Sequence, residues 1–578
     1  MSKLTVDQKT IKQLFENRNV DFLIPDYQRP YAWGYDECQT LWEDIFTFAF
    51  PDNDYSKFDS SSDEYFLGPI VTFLNEDKKQ EVIDGQQRLT TLMLLLRAFY
   101  SKFGNMKDEN SKRTKELIEK CIWKTNEFGE PDTERLKIDS EVATDNDKKE
   151  FLDILKTGDV EDKRSKYANN YNYFVKKIED FLNEYPSYFS YLPTRILNNC
   201  ILLPIEAESQ DTALRIFSTL NDRGKPLSDA DIFKAQFYKY YTSINKKDDF
   251  IDKWKALEEI CIKIFHPIQG TPMDDIFTRY MYYERAKQGI RLSTTEALRK
   301  FYEKNSYILL RNEETFENLI ILAKFWNDIY DQNTDRFSKD VLKQLFVLNY
   351  APNGMWNYLV SVYFMANKQN NDGMDGMLDD KKFYSFLSLI IAFIWGYAFT
   401  NPGLNALRNP VYVEMINIVN NNDVEFKNFK FEKDKLRKDL FDYSFTNVRP
   451  ITKSMLAWWA FNSEKQDLVP IETGLEIEHI YAKNRGNLRN DLNLELLGNK
   501  SLLEKRINIR ASDYKFADKT KYYKGYINSK GLKNEGTKIN ELVELTINSD
   551  FTEENIISRN EKIINSFIEY LNKMNLLK

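Results

Sequence analysis

The stretch "KKQEVIDGQQRLTTLMLLL", residues 78–96, changes character part-way along. Its first half reads as a short strand. Its second half is a continuous apolar run of the kind that makes a buried helix. Asp84-Gly85 between them is turn chemistry. Gln86, Gln87 and Arg88 therefore sit at a strand-to-helix turn, beside the free backbone N–H groups of a helix start, where anions are bound.

Outward from this unit the same alternation continues. "DFLIPDY" (21–27), "FLGPIVTFL" (66–74) and "CILLPIEAES" (200–209) read as strands, and "ECQTLWEDIFTFAF" (37–50) reads as a helix. Residues 211–241 read as helix, loop, helix, with Ser228 as an N-cap and Asp231 three residues on. From about 245 to 440 one amphipathic, aromatic-rich helix follows another. The expected fold class is α+β, mostly helical, in three segments: 1–240, a helical connector 241–435, and 436–578.

Composition narrows the function. With 578 residues, 42% of them apolar, the chain can bury more than one core and is not disordered. A net charge of −8 gives no global attraction to nucleic acid. Cys38, Cys121, Cys200 and Cys261 form no CxxC pair, which argues against a zinc site or a disulfide framework. The N-terminal stretch has no signal-peptide pattern, and the apolar run 383–399 contains polar residues and reads as a buried helix. A cytoplasmic protein without a membrane partner is expected.

The second informative stretch is "EIEHIYAKNRGNLRNDLNLELLGNKSLLEKRIN", residues 476–508. It holds His479, one of only two histidines, directly after Glu478. On a strand, adjacent side chains point to opposite sides, so one can face a metal and the other water. Asn499 follows, and then Asn508 on what reads as a helix, "KSLLEKRINIR". One carboxylate and one amide oxygen suit a hard cation, Mg²⁺ or Mn²⁺ rather than Zn²⁺, and a histidine can take a proton from water. Between Asn499 and Lys530, nine Lys/Arg stand against three acids, a local excess of six positive charges that suits a polyanion. The Lys/Tyr interleaving at 514–526 suits either a solvated helix face or a nucleic-acid contact surface, whereas Trp458 and Trp459 read as core.

In the first half, Arg29 and Arg88 can make forked contacts to phosphates, Gly85 admits close backbone approach, and Asp84 can hold a metal or orient water. The alternative is a well-packed turn with Tyr27, Tyr31 and Trp33 as core.

The residues "IEHIYAKN" and "LNLELLGNKSLLEKRINIRASDYKFADK" resemble the C-terminal HNH domain of GmrSD-type, modification-dependent (type IV) restriction endonucleases. The resemblance implies His479 as general base, Glu478 and Asn508 as metal ligands, and Asn499 as the member of the catalytic set that braces the hairpin. The family usually has proline three residues after the histidine, where this chain has Ala482. "IPDYQRPYAW" (24–33), "GPIVTF" (68–73), "VIDGQQRLTTL" (82–92) and "FSTLNDRGKPLSDADIFK" (217–234) resemble the family's N-terminal half, a ParB/sulfiredoxin-like domain that binds and hydrolyses nucleoside triphosphates. That implies a nucleotide site at Tyr27, Gln28, Arg29, Asp84, Gly85, Gln86, Gln87, Arg88 and Thr90. Asn221, Asp222 and Arg223 lie either near the nucleotide or in a helix-joining loop. DNA contacts are expected at Lys500, Lys505, Arg506, Arg510 and Lys515. The whole reads as a nucleotide-regulated, metal-dependent DNA endonuclease acting on modified phage DNA, with a homo-oligomer compatible. The competing readings are an NTP-responsive DNA sensor with an inactive nuclease domain, and an RNase-type abortive-infection toxin.

Overall fold

Seven strands near the N-terminus form one mixed sheet: β1 (Thr5–Val6), β2 (Lys9–Thr10), β3 (Phe22–Ile24), β4 (Tyr65–Leu74), β5 (Gln80–Asp84), β6 (Ile138–Ser140) and β7 (Cys200–Ala207). The computed structural model describes residues 5–578 except 19, 52–57, 105, 143–144, 146, 161–163, 211, 214–215, 217–227, 269, 292–295, 372–373, 404–405 and 484–490. Asn221, Asp222 and Arg223 fall outside the described residues. The strand order is β1-β7-β4-β5-β3-β6, with β2 also on β7. β4 runs parallel to β7 and antiparallel to β5, and β3 lies parallel to both β5 and β6.

β5 leads through Gly85 into helix α1 (Gln86–Phe103), as the change of period at 84–89 predicts. The run Leu92–Leu96 of α1 is fully buried, and α1 packs against α2 (Lys166–Glu184). Ser228 caps the helix Asp229–Ser243 in a reciprocal box: its Oγ accepts from the Asp231 N–H at 3.1 Å, and Asp231 Oδ2 accepts from the Ser228 N–H at 3.0 Å.

The chain divides into two compact units, Met1–Ala256 and Leu257–Lys578. In the second, α3 (Pro272–Lys287), α4 (Met355–Asn367) and α6 (Arg408–Val419) pack together, while α5 (Asp380–Thr400) packs on α7 (Pro450–Phe461) and on α10 (Glu553–Lys573). The segment expected as a connector thus shares a core with the C-terminal segment. Trp458 of α7 lies edge-on to Phe567 of α10 at 5.1 Å, and Tyr570 of α10 donates to the Ser388 carbonyl of α5 at 2.7 Å. α5 is long and apolar enough to cross a membrane, but 61% of its apolar window is buried, as in a core helix.

The same unit carries an antiparallel hairpin, β8 (Leu475–His479) against β9 (Lys500–Glu504), followed by α8 (Lys505–Ala511) and α9 (Phe516–Lys524). A helix was expected from Lys500 onward; residues 500–504 are instead a strand, because β8 supplies the backbone partners that a local pattern cannot reveal. Gly498, just before β9, lies against α10: a Cβ there would stand 1.9 Å from the Ile556 carbonyl oxygen and 2.7 Å from Asn560 N. We expect Gly498→Ala to destabilise the second unit by about 1–3 kcal/mol or more, since backbone on the facing helix cannot give way. Denaturant melts followed by tryptophan fluorescence check this, and an unchanged midpoint would contradict the close packing.

Candidate functional site

The residues expected to carry chemistry fall in two clusters, one in each unit. In the first, Gly85 caps α1 with φ +91°, and a Cβ on it would stand 2.4 Å from Ile70 Cγ2, so only glycine serves. The register of β4 slips between Phe66 and Gly68, and Gly68 takes φ +117°. The Arg88 guanidinium lies over that bulge and donates to the Pro69 carbonyl at 2.9 Å; a Cβ on Gly68 would collide with it. Burial lowers the Arg88 pKa, while the Asp84 charge opposes this. Burial raises Asp84, against the Gly85 N–H and the charges of Arg88 and Arg29. Asp84, Arg29 and Arg88 thus form one electrostatic group at the start of α1.

The amides named for phosphate have other partners. Gln86 Nε2 donates to the Arg29 carbonyl at 2.5 Å, and Gln87 Oε1 accepts from the N–H groups of Ala32 (2.7 Å) and Trp33 (3.2 Å). Gln28 Nε2 donates to the Val82 and Ile83 carbonyls at 3.3 and 3.2 Å. These glutamines strap the 28–33 loop to β5 and α1, which fixes where Arg29 leaves the chain. Thr90 is buried. Tyr27 is buried against Tyr238, with its hydroxyl 3.5 Å from Glu81 Oε2. Tyr31 hydrogen-bonds Thr91 at 2.7 Å and stacks on Tyr167.

In the second unit, hairpin and helix bring the expected residues near one another but in unexpected pairings. Asn499 is fully buried. Its Oδ1 accepts from the Tyr481 N–H at 2.8 Å, and its Nδ2 donates to the carbonyls of Tyr481 and Leu494 at 3.2 Å each. The Ile480 N–H donates to the Asn499 carbonyl at 2.9 Å. Arg559 of α10 donates to the carbonyls of Leu497, Gly498 and Lys500 at 2.8–3.0 Å. His479 is mostly buried, and among the described residues its Nε2 makes no hydrogen bond. Glu495 Oε1 stands 3.9 Å away, itself held at 2.7 Å by Lys483. Burial, then the ammonium groups of Lys500 and Lys483, push the His479 imidazole down to about 3, so it is neutral near pH 7.

Glu478 turns to the other side of β8 and is buried there. Its Oε1 accepts from Lys519 Nζ and from the Tyr523 hydroxyl, each at 2.7 Å. Asn508, on α8, donates its amide to Glu476 Oε2 at 3.3 Å. A divalent cation does not fit Glu478 in this arrangement, because an ammonium already lies against the carboxylate oxygen. Among the described residues no group of three or more His, Cys, Asp or Glu is placed to hold a metal.

Lys500 is a correction to the expected DNA surface. It is fully buried, and its Nζ donates to the Phe445 carbonyl, to Asn447 Oδ1 at 2.8 Å and to Glu495 Oε2 at 2.5 Å. Lys505, Arg506 and Lys515 are exposed and Arg510 half-buried. Lys483, Glu495, Lys519 and Tyr523 escaped sequence reasoning, since nothing in their local pattern signals convergence on residues 478–479.

With both clusters in place, residues 11–238 match the family model described as the GmrSD restriction endonuclease, N-terminal domain. The N-terminal unit is a GmrSD-type domain. The match covers β3–β7 with all of α1 and α2, and it stops well before the hairpin. No curated protein matches the chain.

Within this GmrSD-type domain, Glu81 on β5 titrates unusually: burial, then the Asp26 charge, raise it from 4.5 to about 7. Asp26 is itself engaged by Lys247 at 2.7 Å and by the Tyr238 hydroxyl at 3.0 Å. A carboxyl raised in the fold binds a proton that the unfolded chain has already lost. Its contribution is therefore fully present below about pH 4.5 and is lost as pH rises through about 7. We expect Glu81→Gln to remove this slope, making the variant relatively more stable than the parent at pH 8 than at pH 4.5. Denaturation midpoints across that range check it, and a pH-independent difference would contradict it.

Proposed function

We propose that the chain is a restriction endonuclease of anti-phage defence that cuts DNA at the β8–β9 hairpin and responds to nucleoside triphosphate at the start of α1. The observation that carries the cutting site is the hairpin–helix order: β8 ending in Glu478-His479, β9 beginning after Asn499, and α8 carrying Asn508. A strand–strand–helix order is what the HNH reading of residues 476–508 calls for, and the GmrSD-type match of residues 11–238 on the same chain supports it.

The chemistry assigned to the chain's own residues is proton removal and charge neutralisation. His479 Nε2, neutral, buried and without a hydrogen bond among the described residues, takes the proton from an attacking water that reaches it. A bond forms from water oxygen to phosphorus, the bond from phosphorus to the leaving sugar oxygen breaks, and that oxygen takes a proton from solvent. Lys483, exposed beside Glu495, Lys505, Arg506 and Arg510 on α8, and Lys515 just before α9 supply positive charge for the DNA backbone. In the N-terminal unit, Arg29 and Arg88 flank Asp84 at a helix start, a setting that favours a triphosphate. Modified phage DNA is the proposed substrate on family grounds. One observation favours a second reading, the DNA sensor with a silent nuclease: the Glu478 carboxylate is closed by Lys519.

The test is cleavage of modified phage DNA, plain plasmid and RNA by the purified chain with Mg²⁺ or Mn²⁺, each with and without NTP. We expect DNA to be cut, and His479→Ala to lower the rate about 10²–10⁴-fold. Cutting by His479→Ala at the parental rate would remove the hairpin from the reaction, and cutting of RNA alone would favour a toxin. Arg88→Ala is expected to abolish NTP hydrolysis and any NTP effect on cutting. An unchanged response would return residues 82–92 to the role of a packed turn.

A further inference from the structure

Lys519 is a charged side chain in the wrong place for a surface helix. Its helix, α9, is anchored by Phe516 and Tyr523, both buried, and Lys519 projects from the same side with a side chain only 1% exposed. Its Nζ stands 2.7 Å from Glu478 Oε1 and 2.7 Å from the His479 carbonyl oxygen. The Tyr523 hydroxyl donates to the same Oε1 at 2.7 Å. A carboxylate oxygen and a backbone carbonyl oxygen converging on one position are the donors that a hard cation takes. Here an ammonium holds that position. Mg²⁺ or Mn²⁺ would need the carboxylate oxygen at about 2.0–2.2 Å, and like charge would drive the ammonium out.

We propose that Lys519 is an internal cation that takes the place of a divalent metal beside Glu478, so that the hairpin as folded does not hold metal through this carboxylate. This rests on the reading of the hairpin as the cleavage centre. The Asn508 amide donates to Glu476, whose side chain is 41% exposed. Glu478 and Glu476, two residues apart on β8, share one face of the strand.

The experiment is Mn²⁺ titration of the full chain, read by the loss of the free-ion electron paramagnetic resonance signal and without DNA. Lys519→Met is expected to bind Mn²⁺ at least tenfold more tightly than the parent, and the added substitution Glu478→Gln to cancel that gain. Equal affinity in Lys519→Met and parent, or a gain that survives Glu478→Gln, would overturn the proposal. Should Lys519→Met not fold, the single substitution Glu478→Gln in the parent decides. Unchanged Mn²⁺ affinity supports a closed carboxylate, and a tenfold loss overturns it. Because the readout involves no cutting, a negative result in the His479→Ala cleavage assay and a negative result here are separately visible.

Discussion

The Asn499 side chain is the constraint on which the hairpin site depends. Its amide spans the mouth of the hairpin, gripping the N–H and carbonyl of Tyr481 on one side and the Leu494 carbonyl on the other. A fully buried amide that leaves none of these groups unpaired is costly to remove, at roughly 1–3 kcal/mol per stranded buried group. Gly498 lets α10 approach to backbone contact, and Arg559 then ties three carbonyls of the 497–500 stretch to that helix. His479 is therefore positioned by groups that do not touch its ring. Its own Nε2 is left without a hydrogen bond among the described residues, in surroundings that keep it neutral.

The N-terminal unit solves a related problem with glycines and glutamines. Gly85 and Gly68 are both in the left-handed region and both face side chains that a Cβ would strike, Ile70 and Arg88. The first permits the sharp entry into α1, and the second lets the Arg88 guanidinium rest on β4. Gln28, Gln86 and Gln87 then satisfy backbone groups of neighbouring segments, so the arginine-bearing loop and the helix start are held in one frame. The polar residues of the motif divide their labour: the amides hold the frame, and the guanidinium groups with Asp84 make its field.

Much of this was legible in the sequence where the signal is local. Strand, turn and helix at 78–96 follow from period and turn chemistry, and the Ser228–Asp231 cap follows from residue type and spacing. What escaped was long-range. Residues 500–504 look helical until β8 supplies their partners. Lys500 and Lys519 count as surface charge until Glu495 and Glu478 are seen to neutralise them inside the fold. The middle helices read as a separate connector because nothing local announces that α5 and α7 share a core with α10. Glu478 was legible as a chemically important carboxylate; that its partner is an ammonium 41 residues later was not.

Measuring DNA cleavage and NTP hydrolysis together in Asn499→Ala tests the proposal that the hairpin braced by Asn499 is the cutting centre. Cleavage is expected to fall at least a hundredfold while the NTP hydrolysis proposed for the N-terminal unit keeps its parental rate, under conditions where circular dichroism shows both proteins folded. Parental cleavage by folded Asn499→Ala would contradict it.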